Sequence, residues 1–327
     1  PVTPTTTNIV PVFQVDRRDG GGATRTGGAT GTGGSDAERP VPVARPVLVT
    51  DPGRRTGRPR PAPSGPRAGS VVGMCTVVID VPAIPGEPVR VLAVRDEDRD
   101  RPWRGIGAWW PERDGVLGVR DDRAGGAWLA LDPAAHRLAV LLNREDLSDR
   151  PDDGLVSRGG VPLDAVGVGI PDRPATRGFN LVEVDAAGAH LVEWDGVVSR
   201  RTALAPGTHM VAHHAVDDPG TPRIARWLEA FRAAGPAAGS DWWMPWLGVI
   251  EKATHEPESS ILRRDAHDGL VLESLLVCAV SIGPDGVDVR EATLAEPGRW
   301  DDGLVAALRE RMPLTSADRT ARVEAPQ

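Results

Sequence analysis

A succession of short apolar runs, each closed by a turn signal, constrains the fold of this chain more than any other feature. Gly126-Ala127-Trp128-Leu129-Ala130-Leu131 leads into Asp132-Pro133-Ala134-Ala135 and then into Arg137-Leu138-Ala139-Val140-Leu141-Leu142. Asp-Pro favours a turn, so the two runs predict a hairpin. Phe179 to Val184, the turn at Ala187-Gly188 and His190 to Trp194 predict a second. Leu270 to Ile282, Pro284-Asp285-Gly286 and Val287 to Val289 predict a third. Met74-Cys75-Thr76-Val77-Val78-Ile79-Asp80 and Val89 to Val94 read as two further strands. Runs joined this tightly pair antiparallel.

Helices are fewer. Thr221-Pro222 reads as an N-cap with proline at the first helical position. Ile224, Trp227, Leu228 and Phe231 follow at i, i+3, i+4 and i+7, and Gly235 is placed to end the helix. Leu304 to Met312 predicts a shorter one, while Leu163 to Val168 is open between helix and loop. Antiparallel sheets covered by a few helices form an α+β layered class.

Composition divides the chain at residue 74. Residues 1–73 hold 11 Pro and 13 Gly, and 10 Arg against 5 acids, a net charge of +5. The whole chain carries −8, which leaves −13 for residues 74–327. A segment so poor in apolar side chains buries too little surface to offset its chain entropy, so residues 1–73 are expected to be disordered. Lys252 is the sole lysine among many Ala, Gly, Pro, Asp and Arg residues, a bias that points to a GC-rich genome. In such a genome upstream DNA often reads open in frame, and a misassigned start, with Met74 the true one, is the plainer reading of the extension. Residues 74–314 are expected to form one domain and 315–327 a flexible tail.

The acidic domain disfavours nucleic acid, which needs a basic face. No run of 18 apolar residues is present to span a membrane. Two cysteines, Cys75 and Cys278, make no disulfide framework, and a reducing, cytoplasmic setting fits them. No phosphate loop and no metal-type Cys/His spacing occurs. Cys278, within Leu275 to Val280, reads as core. His213-His214 reads as a loop pair, and Arg95 to Arg101 as a solvated charged run. Asp241-Trp242-Trp243-Met244-Pro245-Trp246-Leu247, together with Trp109-Trp110, fits either the lining of a pocket for a flat or apolar ligand or a loop folded over the core.

Several short motifs occur in order. They are Met74-Cys75 before a strand, Leu92-Ala93-Val94-Arg95-Asp96-Glu97, and Gly125-Gly126-Ala127-Trp128-Leu129. Leu138 to Asn143, Ser157-Arg158-Gly159, Gly178-Phe179-Asn180-Leu181 and Pro206-Gly207-Thr208-His209 follow. Together they resemble the NRDE family, also called the transport and Golgi organisation protein 2 family. That resemblance implies an N-terminal nucleophile hydrolase-like fold, a four-layer αββα sandwich with antiparallel sheets.

It also implies a site. Removal of Met74 would leave Cys75 as residue one, with thiol nucleophile and α-amine base on one residue. Asp96 would hold the amine and Asn143 would donate to the oxyanion, with Arg95, Glu97, Asn180 and His213 in support. The implied activity is hydrolysis of a linear amide, with no cofactor required. Val94 stands where the family has Asn, Val211-Ala212-His213 where it has Leu-Ser-Asn, and Asp268-Gly269-Leu270-Val271 where it has Tyr-Gly-Thr-Arg. The site is therefore expected to be partly degenerate. The alternative is a carrier of haem, acyl-CoA or lipid, with Trp109, Trp110, Trp242, Trp243 and Trp246 around the ligand and His213 or Cys75 as axial ligand to haem. The expected partner under either reading is a small or acylated molecule.

Overall fold

The computed structural model describes residues 75–267, 270–312 and 314. The extension at 1–73, Met74, the Asp268-Gly269 pair and the tail at 315–327 lie outside the described residues.

The first sheet is built on β1 (Thr76–Val81) and β2 (Val89–Asp98), paired antiparallel with Thr76 opposite Val94. On the far side of β1 lies β10 (Gly207–Val211), and on the far side of β2 lies β12 (Leu270–Gly283). Strand β12 also pairs with β11 (Arg264–His267) and with β13 (Gly286–Thr293). The second sheet runs in sequence order through β3 (Trp103–Gly107), β4 (Leu117–Asp121), β5 (Ala127–Asp132), β6 (Arg137–Asn143), β7 (Phe179–Asp185), β8 (Gly188–Trp194) and β9 (Ser199–Ala203). All three hairpins expected from the sequence form, and every strand pair is antiparallel.

Aspartates shape the turns. Asp132 Oδ1 accepts from the amides of Ala134 and Ala135, each at 3.0 Å, and Asp185 Oδ1 accepts from Ala187 at 2.8 Å and Gly188 at 3.1 Å. A short carboxylate that bonds the backbone two residues ahead imitates a turn, so the chain reverses at these points.

Alternation along the strands sorts the core into layers. Val77, Ile79, Val91, Ala93, Cys278 and Val280 of the first sheet meet Leu129, Leu131, Leu138, Val140 and Val182 of the second. The opposite face of the first sheet, with Val78, Leu92, Val94, Val277 and Ala279, is covered by α2 (Pro222–Ala234), α3 (Met244–Ala253) and α4 (Gly303–Arg309). The outer face of the second sheet is covered by the short helix α1 (Gly160–Val166) and by the segment around Trp110. The result is an α+β sandwich of helices, sheet, sheet and helix. Helix α2 begins at Thr221-Pro222 as its sequence predicts, and Gly235 ends it with φ of 56°, a left-handed conformation that glycine accepts. No helix among the described residues is long and apolar enough to cross a membrane.

The tryptophan-rich segment differs from its pocket reading. Met244 to Ala253 is helical, and Trp242, Trp243 and Trp246 are buried beneath α2 against the first sheet. Trp246 meets Trp242 and Phe231 edge-on, with ring centroids 5.7 and 6.1 Å apart. Trp110 packs on the outer face of the second sheet, where its Nε1 donates to Gly125 O at 2.8 Å. Trp109 donates to Gly105 O at 2.8 Å. These five residues do not line one pocket, because the two groups lie on faces separated by both sheets. Large aromatics stabilise the layer beneath α2 through burial and edge-on ring contacts. Trp246→Ala is expected to destabilise the domain by about 3–5 kcal/mol in urea denaturation; a loss under about 1 kcal/mol would contradict its placement in the core.

Candidate functional site

Strand β2 leaves the apolar core at Val94 and continues as Arg95-Asp96-Glu97-Asp98. The solvated loop expected here is instead a central strand. Its backbone is paired by β12, with Asp96 opposite Ser274 and Glu97 opposite Glu273. Its charges are matched across strands: Arg99 Nε and Nη2 donate to the two oxygens of buried Glu273 at 2.6 and 2.9 Å. Between Asp96 and Arg95 the register of β12 slips, leaving Leu275 as an extra residue. Such a bulge re-aims neighbouring side chains.

The Asp96 carboxylate, only 6 % exposed, accepts from Ser274 Oγ at 2.5 Å and pairs with Arg223 Nη1 at 3.5 Å. Arg223 comes from the first turn of α2, and the same Nη1 donates to Thr76 Oγ1 at 2.5 Å. One ion pair thus joins β1, β2, β12 and α2. The Cys75 thiol sits against the backbone of the same residue: Sγ accepts from Asp96 N at 3.4 Å and donates to Asp96 O at 3.5 Å.

Cys75, Asp96 and Asn143 line a single cavity of about 160 Å³, with Arg95, Glu97, Arg101, Asp121, Trp128 and the segment Ser157-Arg158-Gly159. Two devices shape it. In β5 the register slips so that Trp128 is the extra residue, which turns its indole toward the space between the sheets. Gly126 and Gly159 let two backbones touch: a Cβ on Gly126 would lie 2.4 Å from Gly159. Ala127 N donates to Gly159 O at 2.8 Å and fastens the contact.

Asn180 and His213 lie outside the cavity. Asn180 is fully buried and joins the sheets, with Nδ2 donating to Ala212 O at 2.8 Å and His214 O at 2.5 Å while Oδ1 accepts from Arg144 at 3.0 Å. His213 is in the loop after β10, its ring 3.9 Å from that of His214. Burial, with His214 and Arg223 nearby, lowers its imidazole to about 4, so it is neutral at pH 7. Among the described residues no cluster of His, Cys, Asp and Glu is able to hold a metal ion.

Burial pushes the Cys75 thiol up to about 12, and the Asp96 charge adds to the shift. The thiol is therefore protonated at neutral pH and needs a base to become a nucleophile. Burial also raises the Asp96 carboxyl to about 6, against the pull of Arg223 and Ser274.

The family model described as Transport and Golgi organisation 2 matches residues 74–237, half of the chain. The chain belongs to this family. No curated protein matches it. The matched span holds Cys75, Arg95, Asp96, Trp128, Asn143, Arg158 and Arg223, and ends before Ser274. Sequence reasoning missed roles for Arg101, Asp121, Trp128, Arg158, Arg223 and Ser274. Arg223 alone left a signal, a charge one helical turn before Trp227 on the apolar face of α2.

The raised Asp96 value has a stability consequence. Between the ordinary carboxyl value of 3.8 and about 6, the folded chain holds a proton that the unfolded chain has released. The contribution of Asp96 to stability is therefore greatest at low pH and falls as pH rises through that window. Asp96→Asn lacks this titration and is expected to gain on the parent protein by roughly 2–3 kcal/mol between pH 3.5 and 7 in urea denaturation. A pH-independent offset would contradict the assignment.

Proposed function

We propose that the domain, with Cys75 as its N-terminal residue, hydrolyses a C–N amide bond of a small substrate. The observation that carries this reading is that Cys75, Asn143 and the backbone of Asp96 meet at one cavity, with the Asp96 carboxylate directly behind the strand. A thiol at about 12 is inert by itself, but the α-amine of an N-terminal cysteine is a base built into the same residue. In the chain as written that nitrogen is acylated by Met74 and has no basicity.

With the amine free, it takes the thiol proton and the thiolate sulfur attacks the substrate carbonyl. The oxyanion of the tetrahedral adduct accepts a hydrogen bond from the Asn143 amide. Collapse breaks the C–N bond, and the ammonium returns its proton to the leaving amine, which departs and leaves a thioester on Cys75. The amine then takes a proton from water, hydroxide adds to the thioester, and collapse releases the carboxylic acid and restores the thiol. Asp96, fixed by Ser274 and Arg223, supplies negative charge that favours the ammonium. A reducing, cytoplasmic setting suits this chemistry, since Cys75 and Cys278 are both free thiols.

The carrier reading draws on the uncut chain, in which the Cys75 nitrogen is an amide and the buried thiol has no base on its own residue. Its haem form loses the expected surroundings, since the five tryptophans share no pocket and His213 lies outside the cavity. A cavity of about 160 Å³ is also below the ~300 Å³ at which drug-sized ligands are usually held.

An amide analogue bearing a thiol-reactive group separates the readings. The form beginning at Cys75 is expected to be acylated at that residue at least about 100-fold faster than the uncut chain, the usual scale of a positioned base. Cys75→Ala is expected to show no labelling. Equal rates in the two forms, or labelling that survives the substitution, would contradict the hydrolase reading. Saturable binding of acyl-CoA or haem to the uncut chain, without turnover by either form, would establish the carrier.

A further inference from the structure

The cavity beside Cys75 carries a set of unpartnered polar atoms that the proposed chemistry does not use, and all of them are donors. Arg95 follows Val91 and Ala93 on the inter-sheet face of β2 and is 2 % exposed. Its Nη2 donates to Glu97 at 3.2 Å, and its guanidinium lies 5.6 Å from the ring centre of Trp103. Its Nε and Nη1 are buried with no hydrogen-bond partner among the described residues, and so is the Nε1 of Trp128, another lining residue of the cavity. A buried donor left without a partner costs free energy, and a charged one costs more. Three such donors lie just behind the lining of one small cavity, within a small side-chain turn of an occupant that brings acceptors.

Charge points the same way. Arg101 is spent on Asp121, with Nε and Nη2 at 2.8 and 2.6 Å from Oδ2. Glu97 is turned to Arg95 and Arg101, at 3.2 and 3.8 Å. Asp96 is held by Ser274 and Arg223. Arg158, at the tip of the Ser157-Arg158-Gly159 segment, donates to Gly178 O at 3.0 Å and pairs with no carboxylate among the described residues. Burial lowers its guanidinium from the usual value, against the pull of Glu97 and Asp146 nearby. Setting the Asp96–Arg223 pair aside, the cavity faces Arg95, Arg101 and Arg158 against Glu97 and Asp121, an excess of one positive charge.

We propose that this cavity is a seat for an anionic group, a carboxylate or phosphate, held by Arg95, Trp128 and Arg158 beside the Cys75 thiol. It deepens the proposed function by naming the substrate class: an amide whose acyl or amine portion carries an anion within a few bonds of the scissile carbonyl. Its volume admits the head group of such a molecule and leaves the remainder outside.

Binding is measurable on the full chain, where Cys75 is acylated by Met74, so the outcome is independent of turnover. The Trp128 indole N–H, assigned by its loss in Trp128→Phe, is followed by NMR during titration with acetate, inorganic phosphate or acetamide at constant ionic strength. Acetate or phosphate is expected to move the resonance saturably. Acetamide, of the same shape and uncharged, is expected to leave it in place. Arg95→Met and Arg158→Met are each expected to weaken the anion roughly 10- to 100-fold, the loss of a charge-assisted hydrogen bond. Saturation by acetate or by phosphate alone identifies the anion that the seat takes. Arg158→Met, on a loop, keeps the test valid if Arg95→Met fails to fold. Equal shifts with acetamide and acetate, no saturable shift with either anion, or unchanged affinity in Arg158→Met would overturn the seat. Anion binding in a protein without amidase activity would leave the seat standing and remove the hydrolase. Acylation of Cys75 with no preference for anionic amides would do the reverse.

Discussion

The buried Asp96 carboxylate organises everything around the candidate site. It lies on the helix side of the first sheet, bonded to Ser274 across the strand pair and to Arg223 from the first turn of α2. Its own backbone N–H and C=O hold the Cys75 sulfur on the other side. An ion pair at this depth is costly to desolvate and contributes little net stability, yet leaving either partner alone is worse. The pair therefore fixes where α2 docks and where β1 begins. Thr76 is bonded to the same guanidinium, which anchors the residue next to Cys75.

Around this anchor the cavity is shaped by irregularities. The extra residues Leu275 and Trp128 each interrupt an otherwise continuous ladder. The Gly126–Gly159 contact brings the Arg158 segment onto the edge of β5 at a distance no side chain tolerates. Regular sheet maximises backbone pairing and gives identical side-chain alternation everywhere. Breaking it in two places turns a flat inter-sheet core into a polar recess. Asn180 then ties β7 to the loop after β10 through two carbonyls, which keeps the sheets in register at the same end.

Much of the fold was legible in the chain. Asp132-Pro133, Asp185 and Pro284-Asp285 mark reversals through local hydrogen bonding or backbone restriction, so their hairpins need no distant information. The Thr221-Pro222 start and the 3.6-residue period of α2 are equally local. Trp242, Trp243 and Trp246 were ambiguous for the opposite reason. A pocket lining and a core layer have the same composition, and only the packing of Phe231 and the sheet face decides between them. The charged run Arg95 to Asp98 looked solvated because its partners, Glu273, Ser274 and Arg223, are far away in sequence. Family resemblance points to Cys75, Asp96 and Asn143, and their shared cavity is a fact of the three-dimensional structure alone. The donors on Arg95 and Trp128 gave no sequence signal, since an unmade hydrogen bond exists only in a folded chain.

The reactivity of Cys75 depends on the covalent state of its own nitrogen. Intact mass and N-terminal sequence of the protein isolated from its own host test this directly. The account predicts a mature chain whose first residue is Cys75, with a free amine beside the thiol. A mature chain that keeps Met74 joined to Cys75 would contradict it, because the thiol would then have no base and the cavity would serve binding alone.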